Sequence, residues 1–103
     1  MFEWDRAKSV ANLSKHGVSF ETASRIFEGP VLTAIDARLD YGEVREISIG
    51  AVGGAAIVTV VHTDRNGVTR IISARPAKRR ERRLYAEALR TGAVAGGARS
   101  PAG

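Results

Sequence analysis

The stretch AAIVTVVHTDRNGVTRIISARPAKRRERRLY, residues 55–85, decides how the chain folds. Its first part, AAIVTVVHTDR, is the most apolar run of the chain and rich in β-branched residues, so it reads as a central strand. Asn66-Gly67 follows, the strongest hairpin signal present, because both residues tolerate a positive φ. VTRIISAR then returns as a partner strand. Pro76 lacks the N–H that would extend the ladder and ends it. From about Ala77 to Arg90 the pattern becomes helical and strongly basic.

Outward from this hairpin, Gly53-Gly54 reads as a second two-residue turn, leading back to a strand within YGEVREISIGAV (residues 41–52). PVLTAIDA (residues 30–37) reads as the strand before that. Two helices precede the strands. Asp5 is placed to cap the first, which runs to His16, and Gly17 to end it. Trp4, Ala7, Val10 and Ala11 share its apolar face, with Leu13 at the edge. Ser19 opens the second, through Glu28, with Phe20, Ala23, Ile26 and Phe27 as its stripe; Gly29-Pro30 stops it. The expected class is α+β, in the order ααββββα, with a four-stranded antiparallel meander. Residues 1–91 form the expected single domain. Residues 92–103, small and glycine-rich, are expected to be disordered.

The turns predict a register. With two-residue loops, Arg65 pairs with Val68, Thr63 with Arg70, Val61 with Ile72, Ile49 with Val58 and Ile47 with Val60. One face then carries Ile47, Ile49, Val58, Val60 and Ile71. The other mixes Glu46, Ser48, Thr59, Thr63, Arg65 and Arg70 with Val61 and Ile72. Arg70 and Arg75 are an odd number of residues apart, so a regular strand sends them to opposite faces; only a twist or a bulge would bring them together.

The charge is concentrated. Of 16 Lys and Arg, eight fall within residues 70–90, opposed there only by Glu81 and Glu87; the remaining eight face nine acidic residues elsewhere. Such a field attracts polyanions: nucleic acid, an anionic membrane surface or an acidic protein. A solvated helix that aids solubility is the plainer reading. The 103 residues include no cysteine, which excludes disulfides and thiolate metal sites and suits a reducing cytoplasm. No apolar run approaches the length of a membrane span, and MFEWDRAK lacks signal-peptide order. His16 and His62 are far apart and no HExxH occurs, so neither a metal nor a cofactor is expected.

Metal-free RNA cleavage could be built from what remains. A ribose 2′-OH loses a proton and attacks the adjacent phosphate, the 5′-oxygen leaves, and cations stabilise the phosphorane charge. Arginine suits the last task, because its planar fork matches phosphate oxygens. His62 titrates in the right range for proton transfer; a packed or solvated histidine is the alternative. Glu81 lies amid the apolar face of the last helix (Ala77, Leu84, Tyr85, Ala88) and needs a partner such as Arg70 or Arg75. A structural ion pair is favoured over a general base there.

FEWDRAKSVANLSKHGVSFETASRIF, GEVREISIG and VVHTDRNGVTRIISARPAKRRERRLY together resemble the BrnT family, toxins of bacterial type II toxin–antitoxin systems, across residues 2–85. The resemblance implies a small RelE-like ribonuclease fold and RNA cleavage that inhibits translation. It also implies a tight complex with a BrnA-like antitoxin, through which alone DNA would be contacted. It carries site roles to Lys15, His16, Thr63, Arg65, Arg70, Ser73, Arg75, Lys78 and Arg79. The sequence departs from the family at Pro76, where a lysine is common, and at Lys78, where a hydroxyl would cap the last helix. His62 stands where an aromatic such as tyrosine is expected.

The combined expectation is a cytoplasmic endoribonuclease acting on mRNA, free or on the ribosome. His62, Thr63, Arg65, Arg70 and Arg75 are the catalytic candidates, with Glu46 as a second proton carrier. Lys15, His16, Ser73, Lys78, Arg79 and Arg83 are the RNA-binding candidates, and Arg80 and Arg82 are candidates for docking an acidic antitoxin. A non-catalytic RNA- or ribosome-binding module is the competing reading.

Overall fold

The computed structural model describes residues 1–37 and 42–94. Its elements are β1 (Phe2–Glu3), α1 (Arg6–His16), α2 (Phe20–Ser24) with a 3₁₀ turn (Arg25–Glu28), β2 (Val31–Ile35), β3 (Glu46–Val52), β4 (Ala56–Arg65), β5 (Val68–Pro76) and α3 (Arg79–Thr91). The class is α+β as expected, but the sheet has five strands, ordered β1-β5-β4-β3-β2. The added strand is β1. Its two residues run parallel to β5, pairing Phe2 with Thr69 and Glu3 with Arg70. A strand of two residues leaves no alternation to read, which is why the sequence does not announce it. Among the described residues no helix is long and apolar enough to cross a membrane. Residues 95–103, most of the expected disordered tail, and 38–41, at the start of one expected strand, lie outside the described residues.

The helix signals behave as read. Asp5 Oδ1 accepts from the Lys8 N–H at 3.0 Å and Ser19 Oγ from the Thr22 N–H at 3.0 Å, so each helix start has a side-chain partner for an otherwise orphaned donor. Gly17 ends α1 in the left-handed conformation, φ 77°. Asn66 and Gly67, φ 55° and 82°, make the two-residue turn and pair Arg65 with Val68 and Thr63 with Arg70 as predicted.

The other turn differs. Val52 pairs with Ala56, so Gly53, Gly54 and Ala55 form a three-residue loop. The extra residue shifts β3 by one against the expected register: Ile49 pairs with Thr59 and Ile47 with Val61. A slip of one exchanges the faces of a strand. Ile49 therefore leaves the company of Val58 and Val60 and joins Ala77 and Tyr85 beneath α3. Val58, Val60, Ile71 and Ala74 pack on the other face with Val18, Phe20, Ala23 and Ile26. The sheet is thus covered on both sides, by α2 and the 3₁₀ turn on one and by α3 at one end of the other. Phe20 and Ile26 are almost wholly buried, each stabilising the fold by about 2 kcal/mol.

A second irregularity lies in β5. Val61 pairs with Ser73 but His62 pairs with Ile71, so Ile72 is an extra, bulged residue. The bulge puts Arg70, opposite Thr63, and Arg75, opposite Thr59, on the same face of the sheet, the face carrying α3. The predicted pairing of Val61 with Ile72 gives way for the same reason.

α1 also packs otherwise than its apolar stripe suggests. Val10 and Leu13 are 65% and 51% exposed, whereas Ser9 and Asn12 are buried. The cause is what α1 covers, which is the edge of β5. The Asn12 amide donates to the carbonyls of Val18 and Ala74, at 2.7 and 2.8 Å, and its oxygen accepts from the Ala74 N–H at 3.3 Å. A buried strand edge needs polar partners, and the side-chain amide supplies them where β1 has ended.

Candidate nucleic-acid interface

Three arginines project from the β4–β5 hairpin on the α3 side, and each meets a carboxylate. Arg75 forms a two-pronged pair with Glu81, Nη1 to Oε1 at 2.7 Å and Nη2 to Oε2 at 2.8 Å. Arg70 Nη1 lies 3.1 Å from Glu3 Oε2. Arg65 reaches both oxygens of Glu43, at 3.2 and 3.3 Å from Nη2.

The Arg75 pair belongs to the scaffold. Glu81 also accepts from the Thr59 hydroxyl at 3.1 Å and from the Lys78 N–H at 2.8 Å. The second contact is half of a capping box and serves the helix start for which the sequence offers no hydroxyl. The Arg75 guanidinium, above all, together with these donors outweighs the cost of burial and holds the Glu81 carboxyl at about 2, against an ordinary 4.5. The structural ion pair expected for Glu81 is what stands there, with Arg75 as the partner. Tyr85, whose hydroxyl donates to the Pro30 carbonyl at 2.7 Å, fixes the same helix to the start of β2; burial raises its pKa.

The other two arginines, with side chains 47% and 29% exposed, face a common hollow. Arg65 and Arg70 line a cleft of about 150 Å³ with Lys8, Arg45, Asp5 and Glu43. Its rim on the β3 side is the segment Gly42–Arg45. Buried Thr63 donates to the Val44 carbonyl at 2.7 Å and so holds this segment across the sheet. Arg45 Nε lies 3.9 Å from Glu43 Oε2. Lys8 and Ile72 also line a second cleft, of about 290 Å³, with Lys15, His16, Asn12 and Ser73. The two hollows therefore adjoin along the bulged edge of β5. Lys78, Arg79, Arg80, Arg82 and Arg83 are exposed at the start of α3, beyond Arg75.

The structure thus brings Thr63, Arg65 and Arg70 together, sets Lys15, His16 and Ser73 in the next hollow, and leaves Lys78, Arg79 and Arg83 on the neighbouring helix. It does not bring His62 to them. His62 follows Val60 on the opposite face, 5% exposed. Its Nε2 is 2.7 Å from Ser48 Oγ, which shares a 2.7 Å hydrogen bond with Thr33, and the Phe27 ring meets it edge-on at 5.1 Å. Glu46 Oε1 lies 4.0 Å from Nδ1, on that same face. Burial lowers the His62 pKa, and Glu46 opposes this less strongly. Ser48, wholly out of solvent, links buried His62 to the exposed Thr33 of β2 in a polar chain on this face, so neither His62 nor Glu46 stands over the arginine cleft.

The sequence reading missed Lys8, Arg45 and Glu43. Arg45 alternates with Ile47 and Ile49, which would have put it on the α3 side had the register been known. Lys8 and Glu43 carry no such signal. A larger hollow, about 550 Å³, is lined by Met1, Phe2, Phe27, Gly29, Pro30, Val31, Thr69, Ala93 and Val94. It contains no ionisable side chain, so the charged chemistry lies elsewhere.

A family model described as ribonuclease toxin, BrnT, of type II toxin-antitoxin system matches residues 4–81. Among solved structures, the chain is similar to the 1.1 Å crystal structure of the Brucella abortus ribonuclease toxin BrnT. The TM-score is 0.58 and the identity 25%, over 77% of this chain and 99% of that one. No curated protein matches.

Proposed function

Because the chain belongs to the BrnT family of ribonuclease toxins of type II toxin–antitoxin systems, we propose that it cleaves RNA without a metal ion at the cleft between Arg65 and Arg70. The observation that carries this reading is the convergence of Lys8, Arg45, Arg65 and Arg70 on one small hollow. In the reaction the 2′-oxygen forms a bond to phosphorus as its proton leaves, and the bond to the 5′-oxygen breaks. The products are a 2′,3′-cyclic phosphate and a 5′-hydroxyl, the leaving oxygen taking up a proton. Arg65 and Arg70 bind the non-bridging oxygens and stabilise the charge that grows on them. Thr63 keeps the Gly42–Arg45 rim in place and so positions Arg45. Arg75 acts through α3 rather than on the phosphate. Lys15, His16 and Ser73 receive the adjoining nucleotides, and Lys78, Arg79 and Arg83 meet the backbone beyond them.

Loss of mRNA, free or on the ribosome, would halt translation. The partner that restrains the toxin would be a BrnA-like antitoxin with an acidic segment, docking on exposed Arg80 and Arg82. DNA would be reached only through that antitoxin.

The test is cleavage of a defined RNA in EDTA by the wild type and by Arg65→Gln and Arg70→Gln. Each substitution is expected to lower the rate about a hundredfold or more, as loss of a donor to a developing charge does. Unchanged rates would remove the cleft from the chemistry. RNA bound but never shortened by the wild type would favour a non-catalytic binding module.

A further inference from the structure

We infer that Glu43 is an internal stand-in for a phosphate group, occupying a phosphate subsite on Arg65 that RNA must take from it. The inference rests on the reading of this cleft as the RNA site. A carboxylate and a phosphodiester each offer two oxygens to a guanidinium fork. Glu43 uses both of its oxygens on Arg65, with Nε and Nη2 at 3.2–3.3 Å, and turns one towards Arg45 at 3.9 Å. Arg70 and Lys8 line the same hollow, so the surroundings remain cationic once the carboxylate turns away.

Two features make the exchange feasible. The backbone of the segment is held separately, by Thr63 on the Val44 carbonyl and by the Asp36 N–H on the Arg45 carbonyl at 2.7 Å. The Glu43 side chain can therefore turn out while the rim stays. The pair is also solvent-accessible, with side-chain exposures of 47% for Arg65 and 28% for Glu43. An accessible ion pair is weak in water and yields readily to another anion. While in place, Glu43 screens Arg65 and repels phosphate, so the resting cleft admits RNA but holds small anions poorly.

The experiment measures binding of a 2′-fluoro RNA oligonucleotide, which lacks the attacking hydroxyl, to the wild type, Glu43→Gln, Arg65→Gln and the double variant. Circular dichroism and thermal unfolding confirm that each is folded. Glu43→Gln is expected to bind about fivefold more tightly, the size of one close charge repulsion in water. The gain should vanish in the Arg65→Gln background, which a merely global charge effect would not do. Equal or weaker binding by Glu43→Gln overturns the inference. So does unchanged binding with lost cleavage of ordinary RNA, which would make Glu43 a proton acceptor instead. A wild type that binds the fluoro-RNA yet cleaves no RNA defeats the ribonuclease reading alone, since the binding arms still report on Glu43.

Discussion

Arg75 and Arg70 leave β5 on the same side and each meets a glutamate, yet the two pairs serve different ends. Glu81 gathers four donors, from Arg75, Thr59 and the Lys78 backbone, and its side chain is 19% exposed. Glu3, opposite Arg70, is 42% exposed. The first arrangement joins a helix to a sheet. The second leaves the carboxylate open to water, while the two arginine side chains are about equally exposed, 29% for Arg70 and 33% for Arg75. The number of donors on the carboxylate and the access of water to it separate the two pairs; the distance between the charged atoms does not, since 2.7 and 3.1 Å are both good contacts.

The comparison breaks most readily at its closed end. Glu81→Ala leaves Arg75 without its partner and removes the backbone cap of α3, and should cost about 3 kcal/mol in urea unfolding. Arg70→Ala should cost under about 0.5 kcal/mol in the same measurement, because its pair is solvated. Equal losses would show that the two ends do not differ.

Acid should sharpen the contrast. Glu81 has a folded value of about 2 against an ordinary 4.5, so its stabilisation is complete above pH 4.5 and is lost as the pH falls from there towards 2. His62 acts earlier. Its folded pKa lies below the ordinary 6.5, so the unfolded chain binds the proton first and stability begins to fall below that pH. His62→Gln should flatten the upper part of the stability profile and leave the lower part, while RNA binding at neutral pH stays unchanged. A loss of binding in that variant would return His62 to the site.

The smallest effects are expected on α3. Arg79→Ala with Arg83→Ala should weaken RNA binding for every sequence alike and reduce the salt dependence by about one unit for each phosphate that is no longer neutralised. An unchanged salt slope would assign these two residues elsewhere.

What could be read in advance follows from the range of the interactions involved. The caps at Asp5 and Ser19 and the Asn66-Gly67 turn act over three or four residues and were legible. So was the need of Glu81 for a partner, because a carboxylate amid apolar neighbours demands one. The three-residue loop at Gly53–Ala55 was not, since two glycines accommodate either length, and that single residue sent Ile49 to the other face. The polar packing face of α1 was hidden as well: nothing local says that a helix will lie along a strand edge. The separation of His62 from Thr63 was available from alternation in β4 alone, because neighbours in a strand point apart.

The bulge at Ile72 ties this surface to parity rather than to composition. Between Arg70 and Arg75 the odd residue count and the irregular ladder cancel, and both guanidinium groups emerge together. An in-frame loss of one codon in this interval would preserve every charge of the protein while giving β5 the regular pairing that its sequence otherwise lacks. With the bulge gone and the count even, the two arginines would still share a side. Loss of the bulge without loss of a codon would part them. A one-residue deletion that removes the bulge thus keeps the two arginines on one side, and a substitution that merely straightens the strand does not.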